Sequence, residues 1–190
     1  RTGAETALEA MLQESIGLDF DRLGRSSLDR AIAARLAKLR DISFGAYCEL
    51  ARESETEFQE LVEALIVPET WFFRNRAAFA ALGEFALAWR ESGKGMLRCL
   101  SAPCSSGEEA YSIAMKLFDC GLTAGQFHIE AFDISDAAIE KANLGDYGRN
   151  SFRGEALEFR SRYFVSHNRH WHIDAEVQRR VTFAQANLLD

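Results

Sequence analysis

With 190 residues, 47% of them hydrophobic, the chain is long enough to bury a real core in one large or two small domains. A formal net charge of -7 argues against a nucleic-acid partner, whose phosphates are met by excess Lys and Arg. No apolar stretch approaches the roughly 20 residues a membrane-spanning helix needs, and no signal peptide is visible, so the expected location is cytoplasmic. The chain starts at Arg1 without a methionine, as a fragment would. Cys48, Cys99, Cys104 and Cys120 lack C-x-x-C spacing and read as reduced structural thiols.

From the N-terminus to Ile66 the chain reads as successive helices. One runs from about Thr6 to Ile16, where Gly17 can end it. A second starts behind Ser26 and Ser27, with Leu28, Ile32, Leu36 and Leu39 recurring on one face. A third covers about Phe44 to Ala51. A fourth follows Thr56, whose hydroxyl is expected to cap it with Gln59 returning the bond, and buries Phe58, Leu61, Val62, Leu65 and Ile66. Pro68 ends that helix and marks a domain boundary, giving an all-helical domain over 1–67 and a second domain over 68–190.

Beyond Pro68 the pattern becomes α/β. A helix from about Asn75 to Trp89 precedes an apolar run, Met96 to Leu100, read as a buried strand. The loop A102-P-C-S-S-G107 follows, then a helix for which Ser106 and Glu109 have capping-box spacing. F127-H-I-E-A-F132 is a second strand ending at Asp133, and Ser135 caps a helix that stops near Gly145. This alternation predicts a parallel, doubly wound sheet of Rossmann-like type. The remainder of the chain is less regular: a helix over about 154–163, a polar His-rich stretch and a strand at V181-T-F-A-Q185, with about 148–182 read as a small inserted subdomain.

Open parallel sheets bind ligands at the carboxyl ends of their strands. Here one strand runs into S101-A-P-C-S-S-G-E-E and the next into Asp133. The spacing from Gly107 to Asp133 approaches the separation of about 20 residues between a glycine turn and a ribose-binding acid. A single glycine with two glutamates at a helix start repels phosphates, however, and favours a cationic ligand. S-adenosylmethionine, with its sulfonium and ammonium groups, fits better than a dinucleotide. The competing reading is that Glu108 and Glu109 only complement the helix dipole.

Four segments occur in order: T70-W-F-F-R74, S105-S-G-E-E-A-Y-S-I-A114, A131-F-D-I-S135 and A186-N-L-L189. Together they resemble the CheR family of chemotaxis receptor glutamate O-methyltransferases, over nearly the whole chain. The resemblance implies an S-adenosyl-L-methionine-dependent enzyme, releasing S-adenosyl-L-homocysteine, that methylates glutamate side chains on the cytoplasmic methylation helices of a chemoreceptor-like protein. It implies that Thr70 and Arg74 border the methionine end of the cofactor, Arg74 also being catalytic. It further implies that Glu109 meets the ammonium, Asp133 the ribose, and Asn187 and Leu188 the adenine region. Pro68 stands where some relatives carry a cofactor-contacting asparagine, which puts that contact in doubt. The family's next strand and its F-D-x-I-x-x-R-N motif are expected beyond Asp190, leaving an incomplete methyltransferase domain that need not be active alone.

Arg22, Arg25, Arg30, Arg35, Lys38 and Arg40 form a basic run in an acidic chain. In the family this domain contributes to receptor docking, so the run reads as a docking face or, alternatively, as a solvated helix face. His167, His170 and His172 are not expected to hold a metal, because no Cys or carboxylate motif completes a site. Some relatives use a glycine-rich loop to grip a C-terminal tethering peptide of the receptor. No glycine lies between Phe164 and Phe183, so no tether is expected here; the protein is expected to be a monomer. The rival from another class is a non-catalytic module that binds S-adenosylmethionine or receptor without transfer.

Overall fold

A computed structural model describes residues 3–20, 24–40, 42–66, 68–154 and 157–189, with the backbone alone for Arg25. In the N-terminal part, α1 spans Gly3–Ile16, α2 Arg25–Leu39, α3 Phe44–Glu53 and α4 Glu55–Leu65. Gly17 ends α1 as expected, with φ at 69° and its N–H donating to the Gln13 carbonyl. The helix expected behind Ser26 and Ser27 instead begins at Arg25, ahead of both serines, after Gly24 (φ 76°) and without a side-chain cap. The cap of α4 is Ser54 rather than Thr56. Ser54 sits in extended backbone where α3 ends, so its hydroxyl reaches the Glu57 N–H, whereas Thr56 is already inside the first turn.

Helix α1 packs on α3, and α2 on α4. Leu8 and Leu12, then Leu28, Ala31 and Ile32, then Tyr47, Cys48 and Ala51, then Leu61, Val62 and Leu65 are buried between them. The apolar stripe of α2 departs from its expected course. Leu36 and Leu39 are half-buried, and Arg35 takes the buried position one turn after Ile32.

The chain divides into two units, residues 1–67 together with 187–190, and residues 68–186. In the second, α5 (Arg76–Glu91) leads to β1 (Leu97–Ser101), α6 (Glu108–Asp119), β2 (Phe127–Asp133) and α7 (Asp136–Leu144). The strand β6 (Val181–Gln185) completes a parallel sheet in the order β1-β2-β6. Asp133 stands opposite Gln185, so β2 and β6 end side by side, while Ser101 stands opposite Ala131, so β1 stops two residues short of them. Along β2 the odd-numbered residues from Phe127 to Asp133 are buried and the even-numbered half-buried, as expected for a strand covered on both faces. Helix α6 packs against α5 and the sheet, and α7 against β2 and β6. This is the α/β arrangement expected from the alternation of elements, behind an all-helical N-terminal part.

Between α7 and β6 the chain forms an antiparallel sheet. β3 (Asp146–Tyr147) pairs with β5 (His170–Ile173), which pairs with β4 (Phe164–His167). The His-rich stretch is therefore a hairpin, turned by Asn168 and Arg169 at positive φ of 46° and 67°. The helix expected over 154–163 is shorter: α8 covers Glu158–Tyr163, with a 3-10 turn at Arg149–Ser151 before it. An aromatic cluster centres on Phe72, whose ring lies 4.8 Å from Tyr147, 5.1 Å from Phe152 and 5.0 Å from Phe164. Of the three aromatics in T70-W-F-F-R74, Phe72 is thus the core residue; Trp71 and Phe73 are half-buried.

Candidate functional site

The loop from Ser101 to Gly107 is shaped by the acid at the end of the neighbouring strand. Asp133 is 5% exposed, and its Oδ2 accepts the Ser105 N–H at 2.7 Å while Oδ1 accepts that of Ser135 at 3.0 Å. Cys104 N–H also donates to the Phe132 carbonyl at 2.8 Å. Ser105 is thereby held at a φ of 47°, a left-handed backbone that costs a non-glycine residue about 1–3 kcal/mol. Burial, then the nearby Asp133 charge, pushes the Cys104 thiol up to about 12, so this cysteine is inert structure.

Gly107 follows at a φ of 88°. A Cβ there would lie 2.9 Å from Ala142 Cβ, 3.0 Å from the Phe183 ring and 3.1 Å from the Tyr147 hydroxyl. Glycine is required on both conformational and steric grounds. It also takes the N-cap place of α6, so the capping box expected from Ser106 and Glu109 does not form. The Ser106 hydroxyl instead donates to Glu108 Oε2 at 2.7 Å.

The two glutamates that open α6 have separate environments. Glu108 is 1% exposed and its other oxygen accepts the Ser151 hydroxyl at 2.8 Å, tying α6 to the 3-10 turn. Glu109 is exposed, and its Oε1 accepts the hydroxyl of Ser101 at the end of β1. Of the two glutamates, only Glu109 therefore presents an accessible carboxylate at the carboxyl edge of the sheet. The arrangement suits a cationic group and offers no glycine-lined cradle for a phosphate.

The segment T70-W-F-F-R74 is anchored through its backbone. Phe72 N–H donates to the Ser151 carbonyl at 2.9 Å and Phe73 N–H to Ser112 Oγ at 3.0 Å, the latter at a φ of 55°. Ser112 in turn donates to the Glu108 carbonyl. Thr70 is half-buried, and Arg74 is exposed, with its guanidinium 4.7 Å from the Trp71 ring centroid and a loose ion pair to Glu69 at 3.8 Å.

Thr70, Arg74, Glu109 and Asp133 all belong to the second unit, whereas Asn187 and Leu188 group with the helical one. Asn187 Nδ2 donates to the Ser15 carbonyl at 2.7 Å, and Leu188 is exposed. The expected docking run is corrected at Arg35. That side chain is buried and makes a fork to Glu57, with both bonds at 2.8 Å, plus a contact to Glu60. A guanidinium so neutralised offers no charge to a partner. Arg30, Lys38 and Arg40 are exposed, while Arg22 and the side chain of Arg25 lie outside the described residues. The histidines sit on the β4–β5 hairpin, His170 pairing with Asp146 at 2.8 Å.

Sequence reasoning missed Ser101, Ser112 and Ser151, which hold the glutamates and the aromatic segment in place. None of them had a local signal, because each partner lies on another element.

Comparison with known proteins agrees with this geometry. Residues 6–66 match the all-alpha domain of CheR methyltransferase, and residues 68–190 match its S-adenosylmethionine-binding domain. The chain belongs to the CheR methyltransferase family. It is 43% identical over 184 residues to the probable biofilm formation methyltransferase WspC of Pseudomonas aeruginosa, covering 96% of this chain and 44% of that protein. To the WspC of Pseudomonas putida it is 42% identical over 182 residues, or 94% and 43%. With the chemotaxis protein methyltransferase of Escherichia coli it shares 33% identity over 189 residues, or 96% and 65%. The chain thus spans less than half the length of the WspC proteins it matches. Its CheR cofactor is S-adenosyl-L-methionine, and the residues present fit that group: an accessible carboxylate at Glu109 for the ammonium, an acid at the end of β2, and no phosphate cradle. Among the described residues no helix is long and apolar enough to cross a membrane.

Proposed function

We propose that the protein methylates glutamate side chains on the cytoplasmic helices of a chemoreceptor-like protein, tuning its signalling. The observation that carries this reading is the division of labour between Glu108, buried as structure, and Glu109, exposed beside Ser101. It makes the edge of the sheet hostile to phosphate and hospitable to a cation. Glu109 would hold the ammonium of S-adenosylmethionine, Asp133 its ribose and Thr70 its methionine end. When bound, the cofactor supplies an electrophilic methyl group on a sulfonium.

A glutamate acceptor has a reference pKa of about 4.3, so at neutral pH it is already a carboxylate and needs no general base. The task left to the protein is alignment and exclusion of water from that carboxylate. Arg74 is the group for alignment. Its guanidinium is exposed, lies against Trp71 and donates from Nη1 to the Glu69 carbonyl, while Nη2 meets the Glu69 carboxylate only at 3.8 Å, so an acceptor carboxylate can take the place of that side chain through charge-assisted hydrogen bonds.

The test is transfer of tritiated methyl from S-adenosylmethionine to a chemoreceptor cytoplasmic fragment by the full-length protein, read as base-labile methyl ester. The expected result is ester on glutamates, abolished when the acceptor glutamates are glutamine and reduced at least about a hundredfold by Arg74→Ala. An Arg74→Ala protein that kept the full rate would remove Arg74 from the chemistry. Cofactor binding without any label transfer would select a non-catalytic binding module.

A further inference from the structure

Trp71 carries two guanidinium groups, not one. Arg74 Cζ lies 4.7 Å and Arg153 Cζ 4.8 Å from its ring centroid, so two positive charges share a single indole. A third arginine, Arg76, lies near the residue that follows Arg153. Arg76 Nη2 lies 3.3 Å from where a Cβ on Gly154, the residue after Arg153, would sit. All three side chains are exposed. Among the described residues, the one carboxylate paired with any of them is Glu69, at 3.8 Å from Arg74.

In a chain of net charge -7, two arginines that share one indole, with Arg76 near the residue that follows Arg153, form a local anion site. Stacking on Trp71 and the bond from Arg153 Nε to the Asn150 carbonyl at 3.1 Å fix the Arg153 stem and leave its terminal N–H groups for a ligand. The stack itself is also compatible with a nucleobase, but the overall acidity disfavours a polyphosphate. Guanidinium forks match carboxylates in pairs of hydrogen bonds, and on a helix two side chains three or four residues apart have Cβ atoms about 5–6 Å apart. Two guanidinium groups, at 4.7 Å and 4.8 Å from one ring centroid, are close enough together for neighbouring carboxylates of one helix to reach both.

We propose that Arg153, with Arg76 beside it, holds a second carboxylate of the acceptor within one helical turn of the one presented to Arg74, so that the site selects paired carboxylates. This rests on the reading that Arg74 meets the acceptor. Arg153 is then a specificity-determining residue: it sets which glutamate is chosen without taking part in transfer.

The test uses four fluorescein-labelled helical peptides with Glu-Glu, Glu-Gln, Gln-Glu or Gln-Gln at a four-residue spacing, and a single-stranded oligonucleotide of similar charge. Anisotropy is followed on the chain itself, with cofactor binding measured in parallel by calorimetry. Glu-Glu is expected to bind about tenfold more tightly than either mixed peptide. Arg153→Ala should erase that preference and Arg153→Lys restore part of it, both with unchanged cofactor affinity. In the full-length protein the loss should appear in KM for a paired acceptor rather than in kcat. A preference that survives Arg153→Ala, equal binding of paired and mixed peptides, no peptide binding, or equal binding of the oligonucleotide would each overturn the proposal. Failure of the methyltransferase reading is seen separately, as absent cofactor binding or absent label transfer.

Discussion

Arg35 and Glu57 meet as two parallel forks inside the helical unit, Nε to Oε1 and Nη2 to Oε2, both at 2.8 Å, with side chains 8% and 9% exposed. Removing one partner strands the other charge away from water, which costs about 3–5 kcal/mol. Arg35→Met is therefore expected to lower the denaturation midpoint of the helical unit sharply. Arg30→Met, on the exposed side of the same helix, should leave it within about 0.5 kcal/mol. Thermal or urea melts followed by circular dichroism compare the two.

The same pair sets an acid limit. Its hydrogen bonds to Arg35 hold the Glu57 carboxyl below the usual carboxylate range. The unfolded chain, with a glutamate pKa of about 4.3, then binds the proton more readily than the folded one. The pair's contribution is complete above that value and is lost as pH falls through the lower folded value. Stability of the wild-type helical unit should drop over that window. A Glu57→Gln protein, weaker at neutral pH, should show a flatter profile there.

Glu108 and Glu109 should separate cleanly by substitution. Glu108→Ala leaves the hydroxyls of Ser106 and Ser151 without their buried acceptor, at about 1–3 kcal/mol. It should lower the melting temperature of the second unit. Glu109→Gln should leave that temperature unchanged while weakening S-adenosylmethionine binding about tenfold in calorimetry. Equal effects of the two on stability would contradict the assignment.

Gly107→Ala meets two penalties at once. The left-handed backbone costs an alanine roughly 1–2 kcal/mol, and the contact at 2.9 Å to Ala142 adds overpacking of about 1–3 kcal/mol. Gly148, with nothing within 4 Å of an added methyl and an ordinary φ, is the matched control and should tolerate alanine. Chemical denaturation of both variants checks the difference.

Docking through α2 is expected to depend on Arg30, Lys38 and Arg40 and not on Arg35. Reversing Lys38 and Arg40 to glutamate should weaken receptor methylation while sparing cofactor affinity. Raising salt should do the same, since exposed charges are screened over about 10 Å at 0.1 M.

What the sequence made legible was whatever is encoded by local periodicity or by a contiguous word. The helices up to Ile66, the β1-α6-β2-α7 alternation and the loop-plus-Asp133 geometry all follow from patterns a few residues long. Arg35 is hidden because its charge masks its phase, although Leu28, Ile32 and Arg35 share a helical face and Glu57 and Glu60 share another. The β4–β5 hairpin is hidden by its histidines, while its turn, Asn168-Arg169, lacks the usual glycine. Ser151 gives no signal, because its meaning depends on Glu108, 43 residues away. Arg153 likewise acquires significance only beside Trp71.

Asp133 has one further consequence. Two of the roughly four lone-pair sites on its carboxylate are taken by the N–H groups of Ser105 and Ser135, and the proposed function assigns the others to ligand hydroxyls. If Asp133 meets the ribose as proposed, any substitution there removes that contact and also slackens the turn over residues 101–107, so affinity lost by such a variant is a sum of two quantities. Chemistry on the ligand can separate them. Comparing 2′-deoxy and 3′-deoxy analogues of the cofactor product on the unaltered protein changes the sugar while leaving the turn fastened, and the remainder measures how much affinity comes from keeping that turn taut.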